Sequence, residues 1–181
     1  EPSSKHVAVG EAPGKVKFEL TAVELTHDHK LETPEEAARI RSCGGFIRPA
    51  MEEPYYAPAR VFKDLNKPSK GPGLTMSRSL GDMDADEVGV IPTPEVAFRS
   101  IHTEFDQFIV LASDGLWEFL TSEEVVEVVG GFLARGEPAI NAARFLIVRA
   151  AQQWHREEEG VYRDDITCTV FYLKDLPAGL L

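Results

Sequence analysis

Among the residues able to do chemistry, the sharpest run is Ala112-Ser113-Asp114-Gly115, where a continuous apolar stretch ends and a capped helix is about to begin. A strand end is a rigid mount. An acid followed by glycine can turn its carboxylate into a cleft, the placement a hard cation such as magnesium or manganese prefers. Taken alone, the tetrapeptide is more often a plain Asp-Gly turn. Glu118, four residues on, shares a face with Asp114 if the turn is already helical, and is equally well explained as solvated helix surface. A second acidic feature is Arg163-Asp164-Asp165-Ile166-Thr167, with paired carboxylates at the start of a strand. Alternation along a strand lets only one of the two face a given site. Adjacent acids are costly to hold together unless one is solvated or both lie near a cation. Alone, this pair reads as a solvated strand start.

Other candidates carry less. Asp82-Met83-Asp84-Ala85-Asp86 imitates the opening of an EF-hand loop, but Glu87 stands where the loop needs glycine and Thr93 where it needs glutamate, so calcium-loop binding is rejected. His27-Asp28-His29 lacks a third ligand at a metal-site spacing and reads as a turn or hydrogen-bonding segment. Cys43 and Cys168 lack zinc spacing, and Trp117 and Trp154 read as packing residues, not as a stacking platform.

The elements that would position these groups follow from periodicity and punctuation. Residues 1–15 read as a flexible lead-in and 176–181 as a tail. Val16–Leu20 and Ala22–Leu25 alternate as strands do. Thr33-Pro34-Glu35-Glu36 supplies an N-cap, a first-turn proline and a capping-box glutamate, and Gly44-Gly45 the stop, predicting a helix over 34–43. From 44 to 73 the prolines at 49, 54, 58, 68 and 72 predict a long, mostly irregular excursion. Strands are expected at 95–101 and 107–113, the second buried on both faces. Thr121-Ser122-Glu123-Glu124 is another capping box, and apolar spacing carries that helix to Gly130-Gly131 or just beyond. A longer helix follows over 138–156, then a final strand over 166–172. No repeat or low-complexity block is present.

Composition bounds the function. With 181 residues, 43% of them hydrophobic, the chain can bury one sizeable core. A net charge of −11 repels nucleic-acid phosphates and anionic membranes. The longest strongly apolar run, Phe108–Ala112, is far short of the roughly 20 residues of a membrane span. No signal-peptide pattern opens the chain, and two cysteines fit a reducing compartment, the cytoplasm or nucleus.

Taken together, Leu74-Thr75-Met76-Ser77-Arg78-Ser79-Leu80-Gly81-Asp82, then Phe108 through Glu118, then Arg163-Asp164-Asp165-Ile166-Thr167 resemble, in order and spacing, the metal-dependent protein phosphatases of type 2C. Thr33 through Phe46 and Pro58-Ala59-Arg60-Val61 resemble further segments of that family, so the likeness covers about residues 20–173. Several ordered motifs are far more specific than any one of them. The resemblance implies an α+β fold, part of a four-layer α-β-β-α sandwich of two antiparallel sheets flanked by helices, with residues 16–175 as the C-terminal part of the catalytic domain and 44–73 as a flap. It implies hydrolysis of phosphoserine and phosphothreonine in proteins, with two magnesium or manganese ions holding the water that attacks phosphorus. By position, Asp114 and Asp164 are implied metal ligands. Glu118 stands where some relatives hold a third metal with Asp, and Asp165 where many have Asn, outside the ligand set. Ser77, Arg78, Asp82 and Gly115 are implied near-site scaffold, and no catalytic residue beyond the metal ligands is implied in this chain.

The family's N-terminal motifs, including a phosphate-gripping arginine and the Asp-Gly-His that bridges the metals, have no counterpart here. The expectation is therefore a C-terminal half that is inactive without its N-terminal half, with a phosphoprotein as substrate and that half as partner. The alternative is a non-catalytic, phosphatase-like binding module.

Overall fold

The computed structural model describes residues 6–8, 19–52, 57–64, 66 and 71–176. Most of the expected lead-in, the Val16–Phe18 part of the first expected strand, parts of the 44–73 excursion and the tail beyond Leu176 lie outside these residues. In chain order the elements are β1 (His6–Ala8), β2 (Glu19–Thr21), α1 (Pro34–Ser42), β3 (Phe46–Arg48), β4 (Arg60–Phe62) and β5 (Pro72–Leu74). They continue as α2 (Met83–Asp86), β6 (Phe108–Ala112), α3 (Asp114–Trp117), α4 (Ser122–Ala134), α5 (Ala139–Glu157) and β7 (Cys168–Tyr172). All paired strands among them are antiparallel, and the mixture of helices and antiparallel sheet is the expected α+β class. The chain divides into a terminal unit, which runs to Glu24 and resumes at Arg99, and a middle unit, Leu25–Phe98.

In the terminal unit β6 pairs with β7 from Phe108↔Tyr172 to Ala112↔Cys168. Alternation along both strands sorts their side chains by face. Phe108, Val110, Ala112, Cys168, Val170 and Tyr172 meet a core built from Leu116, Leu120, Val125, Val129, Ala142, Leu146 and Ala150. Ile109, Leu111, Thr169 and Phe171 take the other face, where Leu111 is 65% and Phe171 46% exposed. The expected two-sided burial of this strand is thus wrong. A continuous apolar run shows that neither face is polar; it does not show that both are covered. β1 and β2 pair with each other and lie beside α4. The capping box of α4 forms in full: the Thr121 side chain accepts from the Glu124 N–H, and the Glu124 carboxylate accepts from the Thr121 N–H. This helix runs through Gly130-Gly131 to Ala134 because tertiary packing of Val125 and Val129 outweighs the roughly 1 kcal/mol per glycine that helix propensity costs.

In the middle unit β3, β4 and β5 form a three-stranded antiparallel sheet in that order. Three short strands thus punctuate the excursion over 44–73, whose other described residues have no helix or strand, as expected of a mostly irregular segment. Among its described prolines, Pro49 follows β3, Pro58 precedes β4 and Pro72 opens β5, the kind of edge position a missing N–H allows. Val61 at the sheet centre packs with Leu31, Ile40, Ala59, Ala85, Val88 and Val90. α1 ends as its glycine pair predicts: Gly44 takes φ +80°, and the N–H groups of Gly44 and Gly45 donate to the carbonyls of Arg41 (3.1 Å) and Ile40 (2.9 Å), a Schellman motif. Its start also lies where expected, with Thr33 at the N-cap and Pro34 in the first turn, but the capping box does not form: Thr33 makes no side-chain cap bond, and the Glu36 carboxylate is turned inward to other partners. The strand expected over 95–101 is also absent; Val96 and Phe98 are exposed, and no strand among the described residues pairs with this segment.

Candidate functional site

Asp114 opens α3 directly after β6, and Asp164 and Asp165 precede β7, so the two acidic motifs lie at the same end of one strand pair. Ser113 ties these ends together. Its N–H donates to the Thr167 carbonyl (3.2 Å), its hydroxyl donates to the Asp165 carbonyl (2.9 Å), and the same oxygen accepts from the Thr167 N–H (3.0 Å). Ser113 thus takes both backbone groups of Thr167, and β7 begins at Cys168 and not at the expected 166. Gly115 has no positive φ; what demands glycine is close approach, since a Cβ there would lie 2.4 Å from the Asp165 carbonyl oxygen. On its other side the Gly115 carbonyl accepts from the buried Trp154 indole N–H at 2.7 Å.

The carboxylates this frame carries have no Lys or Arg partner among the described residues. Among the described residues neither Asp114 nor Asp164 is ion-paired; Asp114 is exposed and Asp164 half-buried, accepting from the Asp165 N–H at 2.7 Å. Their field is felt at Tyr162, whose hydroxyl is pushed above its ordinary value by the charge on Asp164 first, then by burial, a hydrogen bond to Asp164 and the charges on Asp114 and Asp165. Glu118 follows α3 in helical conformation, one turn beyond Asp114, and is exposed. The helical turn that its proximity to Asp114 required is therefore present.

Ser77, Arg78 and Asp82 belong to the middle unit and have partners of their own. Glu36, 4% exposed, accepts from Arg78 (Nη2 to Oε1, 2.6 Å), from Arg39 (Nη2 to Oε2, 2.6 Å) and from the Ser77 hydroxyl. Arg39 also donates to the Ser77 and Gly89 carbonyls, both at 2.8 Å, and Arg78 to the Thr93 carbonyl at 3.0 Å. Hydrogen bonds from Arg39, then from Arg78, hold the Glu36 carboxyl far below the usual carboxylate range against the opposing effect of burial. Asp82 sits at φ 42° and accepts from the Ser79 hydroxyl; Asp82–Asp86 enters the short helix α2 and forms no calcium loop. His29 lines a pocket of about 370 Å³ with His27 and Asp28, its Nε2 lying 3.6 Å from Glu95.

Sequence reasoning missed Ser113 as the clamp, Tyr162 beside the acids and Glu36 as a buried hub. Glu36 was hidden by its fit to a capping box. Tyr162 carries no spacing signal, and the clamp depends on pairing across more than fifty residues. The turns that carry these two hard carboxylates adjoin, and among the described residues no group of three His, Cys, Asp or Glu side chains could hold a metal ion. Magnesium keeps several waters and takes one or two protein carboxylates. The residues therefore fit one hydrated divalent cation and do not by themselves form a cage for two.

The family description "Protein phosphatase 2C" matches residues 14–158. The chain is 39% identical over 160 residues to "Probable protein phosphatase 2C 12" of Oryza sativa subsp. japonica, covering 88% of this chain and 39% of that protein. It is 38% identical over 156 residues to "Probable protein phosphatase 2C 18" of Arabidopsis thaliana, covering 86% of this chain and 29% of that one. It thus spans two fifths or less of the length of these curated relatives. In fold it is similar to the crystal structure of serine-threonine phosphatase 2C from Toxoplasma gondii, with a TM-score of 0.66 at 23% identity over 94% of this chain and 52% of the other. The family match over most of the chain, with the ordered motifs on the strand ends described above, establishes that this chain belongs to the protein phosphatase 2C family.

Proposed function

We propose that this chain is the C-terminal part of a catalytic domain that hydrolyses phosphoserine and phosphothreonine in proteins of the cytoplasm or nucleus, and that it is inactive until its N-terminal part supplies the remaining ligands. The observation that carries this reading is the pair of carboxylates, Asp114 and Asp164, fixed at adjoining strand ends by Ser113 and by the contact of Gly115 with Asp165. Asp114 and Asp164 would hold magnesium or manganese, Glu118 would contribute to a third ion, and the N-terminal part would supply the remaining ligands. The ions, when bound, supply the charge that acidifies water and neutralises phosphoryl oxygens. This chain orients its carboxylates in advance, so little reorganisation is needed when charge develops. The open face bearing Leu111 and Phe171 is where the second sheet of the sandwich packs.

The test is manganese-dependent hydrolysis of a phosphothreonine peptide by the chain alone and after addition of the N-terminal part, with Asp114→Asn as control. Activity that requires both parts and is lost in Asp114→Asn supports the reading. Activity of the chain alone that Asp114→Asn abolishes keeps the ligand assignment and overturns the need for a second part. The second reading, a non-catalytic binding module, is favoured by the donor set of only two carboxylates; silence even with the N-terminal part present would establish it.

A further inference from the structure

Besides Ser113, Trp154, near the C-terminal end of α5, touches both acid-bearing segments. It is 7% exposed, and its indole N–H donates to the Gly115 carbonyl, one residue after Asp114. Its ring meets Tyr162, two residues before Asp164, at 5.6 Å between centroids with planes 79° apart. Phe119 also packs on this ring, at 4.8 Å between centroids, edge to face. α3 is a single turn of four residues, too short to hold its own direction, so Asp114 points where the contacts of its turn send it. Buried indoles ordinarily find some acceptor; here the acceptor belongs to the turn that carries one acid, while the ring supports the segment that carries the other.

We propose that Trp154 is a positioning residue that sets the separation of the Asp114 and Asp164 carboxylates for a divalent cation. The inference rests on the metal-binding reading of those two acids. Groups that orient metal ligands from behind change affinity by about 10- to 100-fold when lost. A hydrogen bond that holds the strand-end acids in register belongs to that class, whereas apolar packing against Phe119 acts on stability alone.

The experiment is a manganese titration of the full 181-residue chain, followed by the paramagnetic resonance signal of free Mn²⁺, at a temperature where every variant is folded by circular dichroism. Trp154→Phe, which keeps an apolar ring and removes the N–H, is expected to weaken Mn²⁺ binding by about tenfold. Phe119→Leu, which loosens the same packing and leaves the N–H in place, is expected to lower the melting temperature with affinity unchanged. Equal affinity in wild type and Trp154→Phe, or equal loss in the two variants, overturns the proposal and leaves the metal site standing. Failure of the wild-type chain to bind Mn²⁺ overturns both. Should Trp154→Phe not fold, linkage supplies the second measurement, because a bond that favours the cation must be favoured by it. Adding Mg²⁺ to the wild type is then expected to slow hydrogen exchange of the Trp154 indole N–H more than that of the buried Val129 backbone N–H in α4, and equal slowing overturns the proposal.

Discussion

Glu36 in the middle unit and Asp114 in the terminal unit are both carboxylates near the start of a helix, and they have opposite fates. Glu36 is buried among two guanidinium groups and a hydroxyl; Asp114 stands exposed with no ion pair among the described residues. A buried acid must be neutralised by its own protein to be tolerated. One left solvated at a rigid strand end keeps its charge available for a ligand. The comparison separates a residue kept for stability from one kept for chemistry, although both are acids in the first turn of a helix.

The largest expected effect breaks the first half of that comparison. Glu36→Gln leaves Arg39 and Arg78 without their counter-charge and is expected to cost about 3 kcal/mol in urea denaturation. Asp114→Asn, by contrast, is expected to stay within about 0.5 kcal/mol of wild type while abolishing Mn²⁺ binding; equal losses of stability would erase the distinction. The sign with pH follows from the lowered native value of Glu36. Its contribution is full above the ordinary carboxyl value of 4.5 and is lost as pH falls below that towards the native value. Urea midpoints should therefore decline on acidification more steeply in wild type than in Glu36→Gln, and parallel curves would remove Glu36 as the source.

Gly115→Ala drives a methyl group against the Asp165 carbonyl and is expected to cost about 2 kcal/mol and to weaken Mn²⁺ binding together with stability. A smaller effect compares the two capping boxes. Thr121→Ala removes a formed cap and should cost about 1 kcal/mol, whereas Thr33→Ala, which removes no cap bond, should cost almost nothing by the same denaturation assay. The smallest effect concerns the thiols. Burial pushes Cys168 up to about 11, while Cys43 is exposed, so brief iodoacetamide treatment near pH 8 should label Cys43 and spare Cys168 in a peptide mass map.

The helices were legible because their signals are local. Caps, apolar spacing and glycine stops placed α1, α4 and α5 within a residue or a few of their observed bounds. Strands fared unevenly for a physical reason: a strand exists only when a partner completes its hydrogen bonds. Glu95–Ile101 has the alternation and no partner among the described residues, while three short segments between Phe46 and Leu74 find one another despite the prolines around them. The site divides in the same way. Asp114, Asp164, Glu118 and Gly115 could be named from motif order, yet the reason for the glycine and the partners of Glu36 could not.

The sequence by itself determined the family, the α+β class and the acids at the two strand ends, because residue type and order along the chain carry that information. Tertiary structure alone decided that Glu36 is a buried hub instead of a cap, that one face of the β6–β7 pair is open, and that Ser113 and Trp154 hold the acidic turns. Each of these depends on which groups meet across tens of residues, and the desolvation that makes such meetings decisive exists only once the chain has folded.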